Sequence, residues 1–350
     1  MAKKRNKILN TINMLSKADM VKGHGVLSAH DEQVQLIKEM LPNFYTVYEN
    51  SWKTCDILHF HTINPSFYIR LLFKNRKSIS VGYVHFIPET VENSIHIPRL
   101  FKKIFYRYII HFYKKMDYLV TVNPIFIKKL MSYGIEESKI SYIPNFVSEK
   151  EFYKQPAKMR QDLRLQYNIR KDAFVVLCVG QLQTRKGVFD FVKIAKQMPD
   201  VQFVWAGNFT FGHISDGYKE IKKLLDTPPS NVSFLGYIER EKMIGLYNLS
   251  DVMFLPSYGE LFPMTILEAM CCETPILVRK LELYDSILFD FALQKTTNDE
   301  FIMTLRKMQD ERSYYEEVVD MSRKGKNFYS KEHVSQLWNT FYHTISLKKK

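Results

Sequence analysis

The feature that most constrains this chain is an alternation, met twice, of short apolar runs with stretches of helical periodicity. In the first half the strand-like runs are 8–15, 56–61, 80–85, 118–122 and 139–143, with helical patterns such as 29–40 and 125–131 between them. In the second half the runs are 174–179, 201–206, 232–235, 252–255 and 275–278, separated by helical stretches such as 187–197, 218–225 and 240–246. Strands alternating with helices predict an α/β chain whose parallel sheets are covered by helices on both faces. At 350 residues the chain exceeds one ordinary core. We therefore expect two Rossmann-like domains, 1–150 and 151–328, with a cleft between them. The polar, charge-mixed stretch 148–172, which contains Pro156, reads as the linker, and 329–345 reads as a helix packing back on the first domain.

With 46 % apolar and 25 % charged residues, the composition is that of a globular protein. No apolar run approaches the ~20 residues that span a bilayer. Residues 1–7 are basic, but only a short strand-like run follows, too short for a secretory signal, so a cytoplasmic location is expected. Cys55, Cys178, Cys271 and Cys272 lie in apolar stretches without metal-ligand spacing and read as free buried thiols. The formal net charge of +13 is uneven: residues 1–150 hold 22 Lys and Arg against 12 Asp and Glu, a net of +10. An excess confined to one half points to an anionic partner there, either a membrane surface or nucleic acid.

Chemistry is concentrated in 257–275. Glu260 precedes a helical stretch and Glu268 lies inside it, with apolar strands on both sides. A strand–loop–helix junction aims backbone N–H groups at whatever lies above the sheet, which suits a phosphate. Carboxylates beside it can accept hydrogen bonds from sugar hydroxyls. The combination suggests a site for a nucleotide-sugar.

Further motifs fall in a set order: Gly180, Arg185, Lys186 and Gly187, then Gly207 and Asn208, then Gly236 and Tyr237, then Ser250 and Asp251, then Glu260 and Glu268. With Gly23, His24, Gly25, His59, His85 and Asn145 in the first half, the chain resembles the retaining family 4 glycosyltransferases of the GT-B fold, two facing Rossmann-like domains, over nearly its whole length. The segments 22–34 and 84–90 narrow the resemblance to the bacterial diglycosyldiacylglycerol synthases.

The resemblance implies roles for individual residues. Lys186, with Arg185 beside it, would meet the donor diphosphate; cations at a helix start otherwise oppose its dipole. Gln181 departs from the family, which usually has Arg or Lys there. Glu268 would bind the ribose hydroxyls and Glu260 the transferred sugar. The N–H groups of Met264 and Thr265 would face the phosphate or sugar, Pro263 having none to give. His85 would sit near the sugar, and Gly23 and Gly25 would let backbone approach the donor or acceptor. His59 and His61, alternating on an apolar strand, read as structural. No metal or cofactor is expected, because Lys, Arg and a helix end would do a metal's work at the diphosphate.

Residues 99–115 hold Arg99, Lys102, Lys103, Arg107, Lys114 and Lys115, no acid, and interleaved aromatics. Such a helix suits the headgroup region of an anionic bilayer; a core-facing helix with a solvated basic rim is the plainer alternative. Residues 69–77 are a second candidate. Together these features predict a peripheral enzyme on the inner face of the cell membrane that moves glucose or galactose from UDP-hexose to monoglucosyldiacylglycerol. The alternatives are a polyprenyl-linked glycan or glycoprotein acceptor, or a non-catalytic GT-B partner subunit, which Gln181 keeps open. For nucleic-acid binding only the charge speaks, and none is expected.

Overall fold

The computed structural model describes residues 10–17, 25–85, 87–88, 99–209, 212, 215–260 and 262–348. The described chain divides into two compact units: 10–88 with 99–145 and 331–348, and 146–330.

The first unit is built on a sheet of β1 (Asn10–Leu15), β2 (Tyr45–Glu49), β3 (Ile57–Phe60), β4 (Ile79–Val84), β5 (Tyr118–Thr121) and β6 (Ile140–Tyr142). The strand order is β2-β1-β3-β4-β5-β6, and every pairing is parallel. The central strands β3 and β4 are buried at every position, as their unbroken apolar runs require of strands covered on both faces. The helices are α1 (Gly25–Met40), α2 (Pro65–Leu72), α3 (Arg99–Lys114) and α4 (Ile125–Ser132).

The second unit holds α5 (Ala157–Gln166), β7 (Val175–Val179), α6 (Val188–Gln197), β8 (Gln202–Ala206), α7 (Tyr218–Asp226), β9 (Val232–Gly236), α8 (Arg240–Leu249), β10 (Val252–Leu255), α9 (Met264–Cys271), β11 (Ile276–Arg279), β12 (Leu293–Lys295), α10 (Asn298–Asp310) and α11 (Arg312–Phe328). Its sheet runs β12-β11-β10-β7-β8-β9, again wholly parallel. The last helix, α12 (Lys331–Lys348), returns to the first unit. There Trp338 and Tyr342 are fully buried, and the Tyr45 hydroxyl donates to Asn339 Oδ1 at 3.1 Å.

One expectation is corrected. The polar stretch 148–172 is not a free linker, because it contains α5, which packs into the second unit. Arg164 is buried there and donates to the carbonyls of Leu249, Lys171 and Ala173. Asp251 accepts from Arg164 at 2.7 Å, from Arg160 at 2.5 Å and from the Val175 N–H at 2.7 Å. These bonds explain Ser250-Asp251 as a structural motif that ties β7, α5 and the start of β10 together. A buried arginine is tolerated only when its donors are met in this way. The four cysteines are free and buried.

Candidate active site

In the second sheet β7 lies between β10 and β8, so the chain crosses to one side after β7 and to the other after β9. At such a switch point an open parallel sheet leaves a crevice beyond the carboxyl ends of its strands. The loop after β7 carries Arg185 and Lys186, and the loop after β10 carries Glu260; topology alone brings the two motifs together.

Lys186 Nζ lies 2.6 and 2.8 Å from the two carboxylate oxygens of Glu260, and both side chains are largely buried. Burial pushes the Glu260 pKa up, but Lys186 and Arg185 outweigh it and hold the carboxyl below its ordinary value. Arg185 donates to the Gly259 carbonyl, and to Gln183 Oε1 at 3.3 Å. The Tyr258 N–H returns a bond to the Arg185 carbonyl at 2.8 Å. The two loops are thus laced together.

Two glycines let neighbouring loops approach the loop after β7, Gly187 that after β10 and Gly207 that after β8. Gly187 has φ +77° and a Cβ there would lie 2.5 Å from the Pro256 carbonyl oxygen. Gly207 has φ +143° and a Cβ would lie 1.9 Å from the Gly180 carbonyl oxygen. Below the loop, Asp190 on α6 accepts from Arg279 at 2.8 Å, Tyr258 at 2.5 Å and Asn298 at 2.9 Å. The Arg279 guanidinium stacks 4.1 Å from the Tyr258 ring centroid. Asp190, Arg279 and Tyr258 carry no sequence signal of their own, because their function is to hold the Glu260 loop.

Glu268 is buried on α9, with Met264 and Thr265 opening that helix after Pro263. Its Oε2 accepts from Tyr247 at 2.5 Å and its Oε1 from Arg240 at 3.1 Å. Burial pushes the Glu268 pKa up, and Arg240 and Tyr247 only partly oppose this. Arg240 is itself held by Glu151 at 3.0 Å and lies 5.1 Å over the Phe152 ring. Sequence reasoning missed Arg240 and Tyr247, which lie 28 and 21 residues from Glu268. Gln181 follows Gly180 in the loop after β7 and is half-buried.

In the first unit His85 ends the β4 run and joins a buried group. Ring centroids lie 4.7 Å apart for His30 and His61, 4.7 Å for His59 and His61, and 5.7 Å for His61 and His85. His59 Nδ1 is 2.8 Å from the Tyr342 hydroxyl, which also accepts from Gln33 at 3.1 Å. Burial above all, then the neighbouring imidazoles, holds His59 and His61 well below the ordinary histidine range and His85 down to about 3. His59, His61 and His85 are therefore uncharged at neutral pH. Both ring nitrogens of His61 and Nε2 of His85 are buried with no hydrogen-bond partner among the described residues, which leaves hydrogen-bonding capacity at the carboxyl ends of β3 and β4. Asn145 is buried and accepts from the Tyr83 hydroxyl at 3.1 Å. Gly25 opens α1, while Gly23 and His24 lie outside the described residues.

Helix α3 buries Ile109, Phe112 and Tyr113. It exposes Lys103, Ile104, Arg107, His111 and Lys114, with Lys115 just beyond its end, while Lys102 is half-buried. Arg99 starts the helix, and its side chain is outside the described residues. No helix among the described residues is long and apolar enough to cross a membrane. No three His, Cys, Asp or Glu among them converge as metal ligands.

Comparison with known proteins bears on the family and the fold. The family model described as "Glycosyl transferases group 1" matches residues 159–326, and that described as "Glycosyltransferase Family 4" matches 35–151. The alpha-galactosylglucosyldiacylglycerol synthase of Streptococcus pneumoniae is 40 % identical over 95 % of this chain and 88 % of its own. The processive diacylglycerol alpha-glucosyltransferase of Acholeplasma laidlawii is 24 % identical over 84 % of this chain and 86 % of its own. Among solved structures, the Anabaena protein HepE in complex with UDP-glucose has a TM-score of 0.74 at 15 % identity, covering 96 % of this chain and 99 % of its own. Sucrose-phosphate synthase from Thermosynechococcus elongatus gives 0.76 at 15 % identity with the same coverage; at that identity the likeness speaks for the fold. The chain belongs to the family 4 glycosyltransferases of the GT-B fold.

Proposed function

We propose that this glycosyltransferase moves a hexose, glucose or galactose, from UDP-hexose to a membrane glycolipid, monoglucosyldiacylglycerol in the first instance, to make a diglycosyldiacylglycerol. The observation that carries the reading is the Lys186–Glu260 pair at the switch point of the second sheet, in a chain 40 % identical to a glycolipid synthase.

Each residue then has a task that its geometry suits. Lys186 and Arg185 meet the diphosphate and offset the charge that grows on UDP as the glycosidic bond breaks, a preorganised electrostatic effect that needs no metal. Binding of the anion gives Lys186 a new partner and frees the Glu260 carboxylate for the sugar hydroxyls. The N–H groups of Met264 and Thr265 add the positive end of a helix. Glu268, oriented by Tyr247 and Arg240, accepts from the ribose diol. His85, neutral at pH 7, exchanges hydrogen bonds with a sugar hydroxyl rather than supplying a charge. With Glu260 employed in binding the sugar, retention is achieved by attack on the departing face, the UDP oxygen taking the acceptor's proton.

The acceptor lies in a bilayer, and the exposed stripe of α3 meets it. Lys103, Arg107, Lys114 and Lys115 are exposed with no acid between 99 and 115, and each basic residue at an anionic surface contributes about 1 kcal/mol. The test is to incubate the protein with anionic vesicles containing monoglucosyldiacylglycerol, supply UDP-glucose and UDP-galactose separately, and read the lipids by mass spectrometry. A gain of one hexose is expected. UDP binding without any gain would move the acceptor to another glycan or a protein, and absence of UDP binding would reject the enzyme reading of the site.

A further inference from the structure

The first unit leaves a second surface unexplained. Trp52 is 90 % exposed and Phe73 83 %, with Ile69 at 57 % and Leu72 at 52 %. Ile69, Leu72 and Phe73 lie three and four residues apart and so share the outer face of α2, whose inner face buries Phe67 and Leu71. Trp52 joins them from the loop between β2 and β3, where its ring lies 5.5 Å below the Arg70 guanidinium. Four large apolar side chains standing together in water are costly for a free monomer and mark a contact surface.

The charges around them say what the surface contacts. Lys53, Arg76 and Lys77 are exposed and Arg70 is half-buried over Trp52. The only acid between Asn50 and Ser78 is Asp56, whose carboxylate accepts both the N–H and the hydroxyl of Thr11 at 2.8 Å. Asp117 meets the Lys74 ammonium just past α2 at 2.7 Å and is matched by it, so the rim of the apolar knob carries a net positive charge. A second copy of the chain would bring that rim against itself, since a two-fold contact pairs like surface with like. An anionic lipid surface fits both parts. Trp and Phe enter the boundary between headgroups and acyl chains, while Lys and Arg keep their charges among the phosphates. The surface also adjoins the basic stripe of α3, for the Tyr68 ring on α2 lies 5.8 Å from both Tyr108 and His111.

We infer that Trp52, Ile69, Leu72 and Phe73 form an insertion wedge for an anionic lipid bilayer, distinct from the electrostatic stripe of α3. The inference rests on the reading of a lipid-borne acceptor. The two elements divide the work: the stripe supplies salt-sensitive attraction, and the wedge supplies apolar partition that salt does not screen.

The chain reports on its own wedge. Of its three tryptophans, Trp205 and Trp338 are buried, at 0 % and 1 % exposure, so a change of solvent around a tryptophan is read at Trp52. The full chain is titrated with phosphatidylglycerol–phosphatidylcholine vesicles, with and without bromine on the acyl chains. The expected result is a blue shift of emission and quenching by the brominated lipid, both lost in Trp52→Phe, which still binds. In Trp52→Ser with Phe73→Ser, the vesicle partition coefficient at high salt falls at least tenfold. Cosedimentation with vesicles while the emission stays put would overturn the wedge. So would an unchanged partition of the double variant, or a dimer in solution that the double variant dissolves. Transfer to the glycolipid in detergent micelles separates the two claims. Insertion without micellar transfer would reject the acceptor and leave the wedge standing, whereas micellar transfer with Trp52 still in water would reject the wedge alone.

Discussion

The two units bury their polar groups in opposite ways. The first gathers three imidazoles around His61, with ring centroids 4.7–5.7 Å from it, and His59, His61 and His85 are kept neutral by burial. The second holds Lys186 against Glu260 and Arg240 against Glu268, charges kept because each has a partner. Removing one member of a buried pair leaves the other uncompensated, so such pairs are natural places for an anionic or hydroxyl-bearing ligand to exchange partners. Neutral imidazoles need no counter-ion and suit hydrogen bonding to sugar hydroxyls. Under the proposed function, recognition of the charged nucleotide falls to the second unit, and the two units should differ in their response to mutation and to pH.

The largest effect is expected where the paired charges are broken. Lys186→Ala and Glu268→Ala each lower transfer by about 10²–10³-fold, the usual cost of removing one preorganised electrostatic contact, with an unchanged circular dichroism spectrum. Wild-type transfer by either variant would remove the second unit from the chemistry.

Acid separates the units next. An unfolded histidine titrates near 6.5, whereas His59, His61 and His85 titrate lower when folded. As pH falls below about 6.5 the unfolded chain therefore binds more protons, and stability of the first unit declines. In the second unit the Glu260 shift is downward from 4.5, so its stabilisation is lost only at lower pH, and the upward Glu268 shift acts with the opposite sign. Amide protection factors, corrected for the intrinsic pH dependence of exchange, are expected to fall in β3, β4 and α12 between about pH 6.5 and 5 while those in β7 and β10 hold. Loosening of both units together would break the contrast.

A smaller effect sharpens it. Arg240 opposes the upward pull of burial on Glu268, and the other groups near that carboxyl are Tyr247, Glu151 and Cys272. In Arg240→Gln the Glu268 carboxyl protonates at higher pH and ceases to accept from a ribose diol. UDP affinity is expected to fall about 3–10-fold more than in the wild type between pH 8 and pH 6. Parallel pH profiles would show that Arg240 only fills space.

Some of this was legible in the sequence, for physical reasons. The central strand Val252–Leu255 was found because a strand covered on both faces must be continuously apolar. The strands Tyr45–Glu49 and Leu293–Lys295 were not, since each is an edge strand with few buried positions. Glu260 and Glu268 stood out by their spacing beside strand ends, and Lys186 by its place in the motif order that carries the family resemblance. Their holders did not, because Arg240, Asp190 and Arg279 meet their partners only through tertiary packing. His59 and His61 were read as structural from their apolar neighbours. Their alternation does place both on one face of β3, but their gathering with His30 and His85 depends on α1 and β4 as well.

The account turns on Lys186 reading the diphosphate. Calorimetric titration of UDP and of UMP into the wild type and into Lys186→Ala tests this most directly. One charge-assisted contact corresponds to about 10–100-fold in affinity, so the wild type should prefer UDP over UMP by at least that factor, and Lys186→Ala should lose about that much of the preference while Arg185 keeps the remainder. A variant that keeps the full preference for UDP would contradict the assignment.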